Sequence, residues 1–160
     1  MMKKIFLSTT VCSLALLVAA PMSSFAGSGP DEGMTWNRGD LKWEPNPRVP
    51  GLGVARIISH GKEEGPYTYR VKFPKGRVVQ AHSHPDDRYY TVISGTWKIG
   101  FGEKYDESKL KTLTAGGFYT EPAGVPHFIA TPDGEAIVQV SGTGPTTIHY
   151  VDAAHDTRKK

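Results

Sequence analysis

The chain contains a single cysteine, Cys12, and it lies inside a stretch that reads as an export signal. Lys3 and Lys4 form a short basic region. Residues 5–20 form an apolar run broken only by Ser8, Thr9, Thr10 and Ser13, and Ser24 and Ala26 place small residues at the −3 and −1 positions of a cleavage site. The run is too short and too interrupted for a membrane-spanning helix, so an uncleaved anchor is the weaker alternative. Cys12 also lacks the small-residue context of a lipid-attachment site. Cleavage after Ala26 leaves a chain without a disulfide, a thiol nucleophile or a zinc–thiolate site. The expected location is periplasmic or secreted, with no membrane attachment after cleavage.

An excess of charge of either sign is also missing. Lys and Arg number 19 against 16 Asp and Glu, a formal charge of +3 that falls to +1 once Lys3 and Lys4 leave with the signal. The remaining basic emphasis sits in Arg158-Lys159-Lys160, which reads as a solvated end. Nothing resembles the basic face of a nucleic-acid binder. Helical periodicity is nearly absent, with residues 106–110 supplying barely one turn. There is no internal repeat, and the length suits one core. The expected organisation is a signal peptide (1–26), a Gly-, Pro- and charge-rich segment (27–40), one domain (41–151) and a basic tail (152–160).

What is present is β-sequence. Residues 54–59, 67–73, 77–84, 88–93, 96–101, 118–121, 126–131, 136–141 and 146–151 are short runs rich in β-branched and aromatic residues, and many are closed by Gly, Pro or Asp turns. Many short strands at this spacing imply an all-β sandwich or barrel. Ahead of them, residues 36–50 carry Trp36, Trp43 and three prolines. This segment reads as an extended arm that covers an edge of its own sheet or serves a homodimer contact. Tyr90, Trp97, Phe101, Phe118 and Phe128 read mainly as core.

The chemistry-bearing residues fall into two blocks. In the first, Gly76 is followed by His82-Ser83-His84, Arg88 and Gly95; in the second, Gly116 is followed by Pro122-Ala123-Gly124, His127 and Thr131. Residues i and i+2 of a strand share a face, so His82 and His84 can project together, and His127 from another strand can complete a facial set for one divalent ion. A lone inward histidine is more often a hydrogen-bonded core residue; three at these spacings favour metal or ligand binding.

These blocks resemble the paired motifs of the cupin superfamily over residues 41–151. The resemblance implies a single jelly-roll β-barrel with a metal in its mouth and says little about reaction, because one such fold hosts many chemistries. Two positions depart from the family pattern. Arg88 stands where cupins place a glutamate ligand, and Thr131 where they place an asparagine. The family precedent for a missing carboxylate is the three-histidine iron site of thiol and diketone dioxygenases.

Arg88 stays protonated and cannot ligate a metal. A unit charge about 5 Å from a dication is repelled by roughly 6–7 kcal/mol at an effective dielectric of about 20, against on the order of 10–16 kcal/mol for a good zinc site. Metal binding therefore calls for an intervening anion. Asp86 or Asp87, in the adjoining turn, can be that anion or a fourth ligand. A carboxylate-bearing substrate gripped by Arg88 can serve equally. In the plainer alternative, Arg88 turns outward to pair with one of the two aspartates. By alternation Tyr90 and Val92 share the face of Arg88, so Tyr90 can line the pocket as donor or acid, or simply pack. Thr131, on the face of His127, can contact ligand or fill volume. His60, His149 and His155 fall outside the constellation.

The leading expectation is an exported protein with one divalent ion (Fe, Zn, Mn, Ni or Cu) on His82, His84 and His127 and a small oxygen-bearing ligand oriented by Arg88 and Tyr90, with dioxygenase-type chemistry as the first catalytic option. The alternatives are a non-catalytic binder of an anionic metabolite or sugar, and a metal-independent isomerase or epimerase using a histidine and Tyr90.

Overall fold

The computed structural model describes residues 33–47 and 49–156; the export signal, the first part of the segment after it (27–32) and the terminal Arg158-Lys159-Lys160 lie outside the described residues. The chain divides into a short N-terminal unit ending at Thr35 and a second unit starting at Trp36 that holds every described strand.

Eleven strands make up the second unit: β1 (Glu44–Pro45), β2 (Gly53–Arg56), β3 (Gly65–Phe73), β4 (Arg77–Ser83), β5 (Arg88–Ser94), β6 (Trp97–Phe101), β7 (Lys111–Leu113), β8 (Phe118–Glu121), β9 (His127–Thr131), β10 (Ala136–Gly144) and β11 (His149–Tyr150). They form a six-stranded sheet in the order β1-β2-β3-β10-β5-β8 and a five-stranded sheet in the order β11-β4-β9-β6-β7. Every pairing is antiparallel. The two sheets do not close into the expected barrel, since no described strand belongs to both. Three of the four edge strands, β1, β7 and β11, are only two or three residues long, and the fourth, β8, has four, which leaves little ladder to carry hydrogen bonds from one sheet to the other.

The core lies between the sheets, where Tyr67, Tyr90, Val92, Val138 and Val140 of the larger sheet meet Val79, Trp97, Ile99 and Ile129 of the smaller. Each such side chain contributes about 1.5–3 kcal/mol of transfer free energy. Trp97 is fully buried and meets Phe73 edge-on, with ring centroids 5.0 Å apart. Phe118 departs from its expected place in the core: it is 58% exposed because Tyr119 and Glu121 take the inward positions of β8. Phe101 shares the parity of Trp97 and Ile99 but lies at the strand's end, 6.4 Å from the His127 ring. Residues 106–110 hold the expected single turn, Glu107–Lys109. Two strands were not legible: β1 contains Pro45, and β7 is too short to alternate. Through β1 the arm pairs with β2 and covers that edge of the larger sheet.

A β-bulge in β4 decides where the histidines point. Val79 pairs with Ile129 and His82 with His127, so β4 spends one residue more than β9 between these two pairs. Without it, His82 would face away from the interior side of Val79. With it, Val79, His82 and His84 are all buried on one side.

Candidate metal centre and ligand cavity

His82 and His127 are register partners, and His84 lies one residue beyond β4. Their ligand nitrogens lie within 4.8 Å of one another, and all three side chains are buried. Each ring is held through Nδ1 by a backbone carbonyl: His82 by Gln80 at 2.7 Å, His84 by Thr147 at 2.7 Å and His127 by Val125 at 3.0 Å. A carbonyl oxygen only accepts, so each Nδ1 carries the proton and each Nε2 is left with a lone pair. Such outer contacts are what orients metal-binding imidazoles. Burial lowers the pKa of all three histidines, foremost among its causes, which keeps the rings neutral, as ligands must be.

A carboxylate lies beside this group, on a strand the sequence places but to whose last residue it assigns no role. Glu121, at the end of β8, is 1% exposed, and its Oε2 lies 3.2 Å from His127 Nε2 and 3.8 Å from His84 Nε2. Neither Glu121 Oε2 nor His127 Nε2 has a hydrogen-bond partner. With Glu121 ionised both atoms carry only lone pairs, and a cation beside them resolves that conflict. Burial raises the Glu121 pKa to about 7 although Arg88 opposes it. The three neutral imidazoles, with a carboxylate beside two of them, therefore fit a divalent transition ion.

Arg88 does not turn outward. It is 6% exposed, donating through Nη2 to Thr146 Oγ1 at 2.5 Å and through Nη1 to His84 Nε2 at 3.0 Å, with the Tyr90 hydroxyl 3.4 Å away. Its Nε lies 3.6 Å from Asp86 Oδ2. Asp86 is buried as well and accepts from the Tyr67 hydroxyl at 2.5 Å and from Thr146 Oγ1. It is thus the buried counter-ion of Arg88, and it stands outside the histidine group. Asp87 is exposed and accepts from the Ala123 amide at 2.8 Å, tying down the β8–β9 turn. Gly124 ties the same turn to His84, its amide bonding the His84 carbonyl at 2.7 Å from a φ of +74°.

Tyr90 is inward as expected. It stacks on Tyr119 with centroids 4.7 Å apart, and burial holds its pKa well above the usual phenol value. Such a phenol donates a hydrogen bond readily and a proton reluctantly. Thr131 takes no part: fully buried, it donates to the Pro74 carbonyl at 2.7 Å and fastens β9 to the β3–β4 turn. Glu121 and Thr146 are the residues that sequence reasoning missed. Both faces of β8 carry an aromatic residue, so its phase was ambiguous, and Thr146 reaches the site from a loop with no local signature.

A cavity of about 440 Å³ opens onto this group. His82, His84, Arg88 and Tyr90 form part of its polar lining, and Leu52, Val71, Phe73, Trp97 and Ile129 are among its apolar walls.

Residues 31–146 match the model of the ChrR cupin-like domain. The chain belongs to that cupin family. Its fold also matches solved cupin structures of varied activity. The polyketide cyclase RemF from Streptomyces resistomycificus is 16% identical, covers 80% of this chain and 92% of its own, and superposes with a TM-score of 0.64. The DMSP lyase DddQ from Ruegeria pomeroyi is 18% identical over 67% of this chain and 60% of its own, with a TM-score of 0.52. A cupin sugar phosphate isomerase from Silicibacter pomeroyi is 17% identical over 73% and 81%, with a TM-score of 0.55. At these identities the likeness is one of fold. No curated protein sequence matches this cupin.

Proposed function

We propose that this cupin is an exported protein that holds one divalent ion on His82, His84 and His127, with Glu121 as the carboxylate beside them, and uses it on a small oxygen-bearing, anionic molecule. The supporting observation is the convergence of three imidazoles whose ligand nitrogens lie within 4.8 Å, each ring pinned through Nδ1, with His82 and His84 lining the cavity. Bound there, the ion supplies a Lewis acid, and iron would add the redox capacity for dioxygenase-type chemistry. The chain's own residues have distinct tasks. The histidines fix the position, Arg88 orients an anionic oxygen, Tyr90 donates a hydrogen bond, and the apolar walls exclude water. Cupin neighbours that are a cyclase, a lyase and an isomerase support a small-molecule role. Export rests on Lys3, Lys4, the apolar run and Ser24-Phe25-Ala26.

Elemental analysis of the purified protein beside folded His82→Ala and His127→Ala variants tests the reading. Near-stoichiometric metal in the parent and none in either variant is the expected result, with iron pointing to oxygenase chemistry and zinc to binding or Lewis-acid catalysis. No metal after incubation with each candidate ion would overturn it. One observation favours the second reading, a metal-free anion binder: Arg88 Nη1 lies on the His84 lone pair.

A further inference from the structure

Arg88 and a metal ion compete for one lone pair. His84 Nε2 has no proton, because Nδ1 carries it toward the Thr147 carbonyl, and Arg88 Nη1 donates to that nitrogen at 3.0 Å. A divalent ion can use His84 only when Nη1 leaves, and a buried guanidinium N–H that leaves needs another acceptor. Asp86 receives the hydroxyls of Tyr67 and Thr146 and faces the Nε side of Arg88, at 3.6 Å, rather than Nη1. With Glu121 turned to the ion, an anion in the cavity, which Arg88 lines, offers that acceptor.

The buried charges give the sign of what enters. Asp86 and Arg88 offset one another at 3.6 Å. A divalent ion beside ionised Glu121 leaves one positive charge in excess within a group that is shielded from water, and excess buried charge is costly. One monoanion cancels it. Much of the remaining lining is apolar, including Leu52, Val71, Phe73, Trp97 and Ile129, although Asn46 and Arg77 also reach it, and these walls suit an alkyl or aryl chain. The cavity, about 440 Å³, is of small-molecule size.

Building on the proposed metal site, we infer that the cavity takes a monocarboxylate bearing an apolar chain, held by Arg88, and that this anion and the divalent ion bind cooperatively because the carboxylate draws Nη1 away from His84. By linkage the effect is reciprocal, each ligand tightening the other by the same factor.

The test is calorimetric titration of zinc chloride into the metal-free protein, alone, with acetate and with hexanoate. Zinc binding is expected to tighten at least tenfold with hexanoate and less with acetate, and hexanoate to bind tighter by the same factor once zinc is present. In Arg88→Gln, zinc should bind more tightly than to the metal-free parent and be indifferent to hexanoate. Cooperativity that persists in Arg88→Gln would mean that the carboxylate acts on the metal directly, and would overturn the role of Arg88. A measurement without substitution is the imidazole ¹⁵N signal of His84 in the metal-free protein: it should move when hexanoate is added, and an unmoved signal also overturns the inference. Zinc binding in the parent that ignores hexanoate defeats the inference and leaves the metal site standing. Failure of zinc to bind under any of these conditions defeats the metal site first, and the inference with it.

Discussion

Arg88 and Glu121 are direct cross-strand partners on β5 and β8, so a cationic residue at the usual place of a cupin carboxylate faces a carboxylate on the next strand. The exchange keeps an acidic group against the histidines and adds a guanidinium that can address an anion. Together with Asp86, which offsets Arg88, it turns a metal seat into a seat with a second, charged subsite.

Glu121→Gln separates the carboxylate's binding role from its cost to the fold. Its folded pKa of about 7, against 4.5 unperturbed, means that above pH 7 the buried charge costs on the order of 3 kcal/mol. The metal-free variant should therefore resist denaturant better than the parent at pH 8, by up to about that amount. Its zinc affinity should fall by roughly ten- to a hundredfold, the range seen for groups supporting a metal site. Urea titrations and calorimetry on the same preparations check both halves, and a variant less stable than the parent at pH 8 would contradict the assignment.

The metal-free protein should be sensitive to acid. His82, His84 and His127 all have folded pKa values lowered by burial. Below about pH 6.5 the unfolded chain takes up protons that the folded chain refuses, so stability drops as pH falls, by up to about 1.4 kcal/mol per pH unit for each histidine. Glu121 works in the opposite sense between about pH 4.5 and 7, where the folded state keeps a proton that the unfolded state has lost, but it is one group against three. Denaturant midpoints at pH 5.0, 6.0 and 7.0 should rise with pH, and saturating zinc should move them upward.

Gly142 guards the counter-ion. A Cβ there would lie 2.4 Å from the Tyr67 hydroxyl oxygen and 2.9 Å from Asp86 Oδ2, so Gly142→Ala must displace the Tyr67–Asp86 hydrogen bond. The expected cost is about 1–3 kcal/mol, with weaker hexanoate binding because Asp86 no longer steadies Arg88. Tyr67→Phe should relieve part of the clash, making the double variant more stable than the sum of the single costs predicts. Thermal unfolding of all four proteins closes the cycle; strict additivity would argue against the contact.

Tyr119 links the core to the site, accepting from Trp97 Nε1 at 3.0 Å and donating to Glu121 Oε1 at 3.1 Å. Tyr119→Phe leaves a buried indole N–H without its acceptor, at about 1–3 kcal/mol. It should also loosen zinc binding by freeing Glu121. A change in stability with no change in zinc affinity would confine Tyr119 to a packing role.

The sequence by itself determined the strand succession apart from β1 and β7, most of the turns and the three histidines, because alternation, turn chemistry and motif spacing are local properties of the chain. It also carried the inward placement of Tyr90 and Val92, which follows from Arg88 by parity within one strand. Tertiary structure alone decided the rest. Phe118 and Glu121 exchange their expected importance because the phase of a four-residue strand is set by the strand it pairs with. Thr146 joins Arg88 from 58 residues away, a contact that no periodicity encodes. The bulge in β4, set by pairing with β9, turns His82 and His84 inward together. Whether Arg88 faced solvent or the cavity was also beyond local reading, since that depends on partners brought together by the fold: the Asp86 carboxylate, the Thr146 hydroxyl and an imidazole lone pair that together make burial of a guanidinium tolerable.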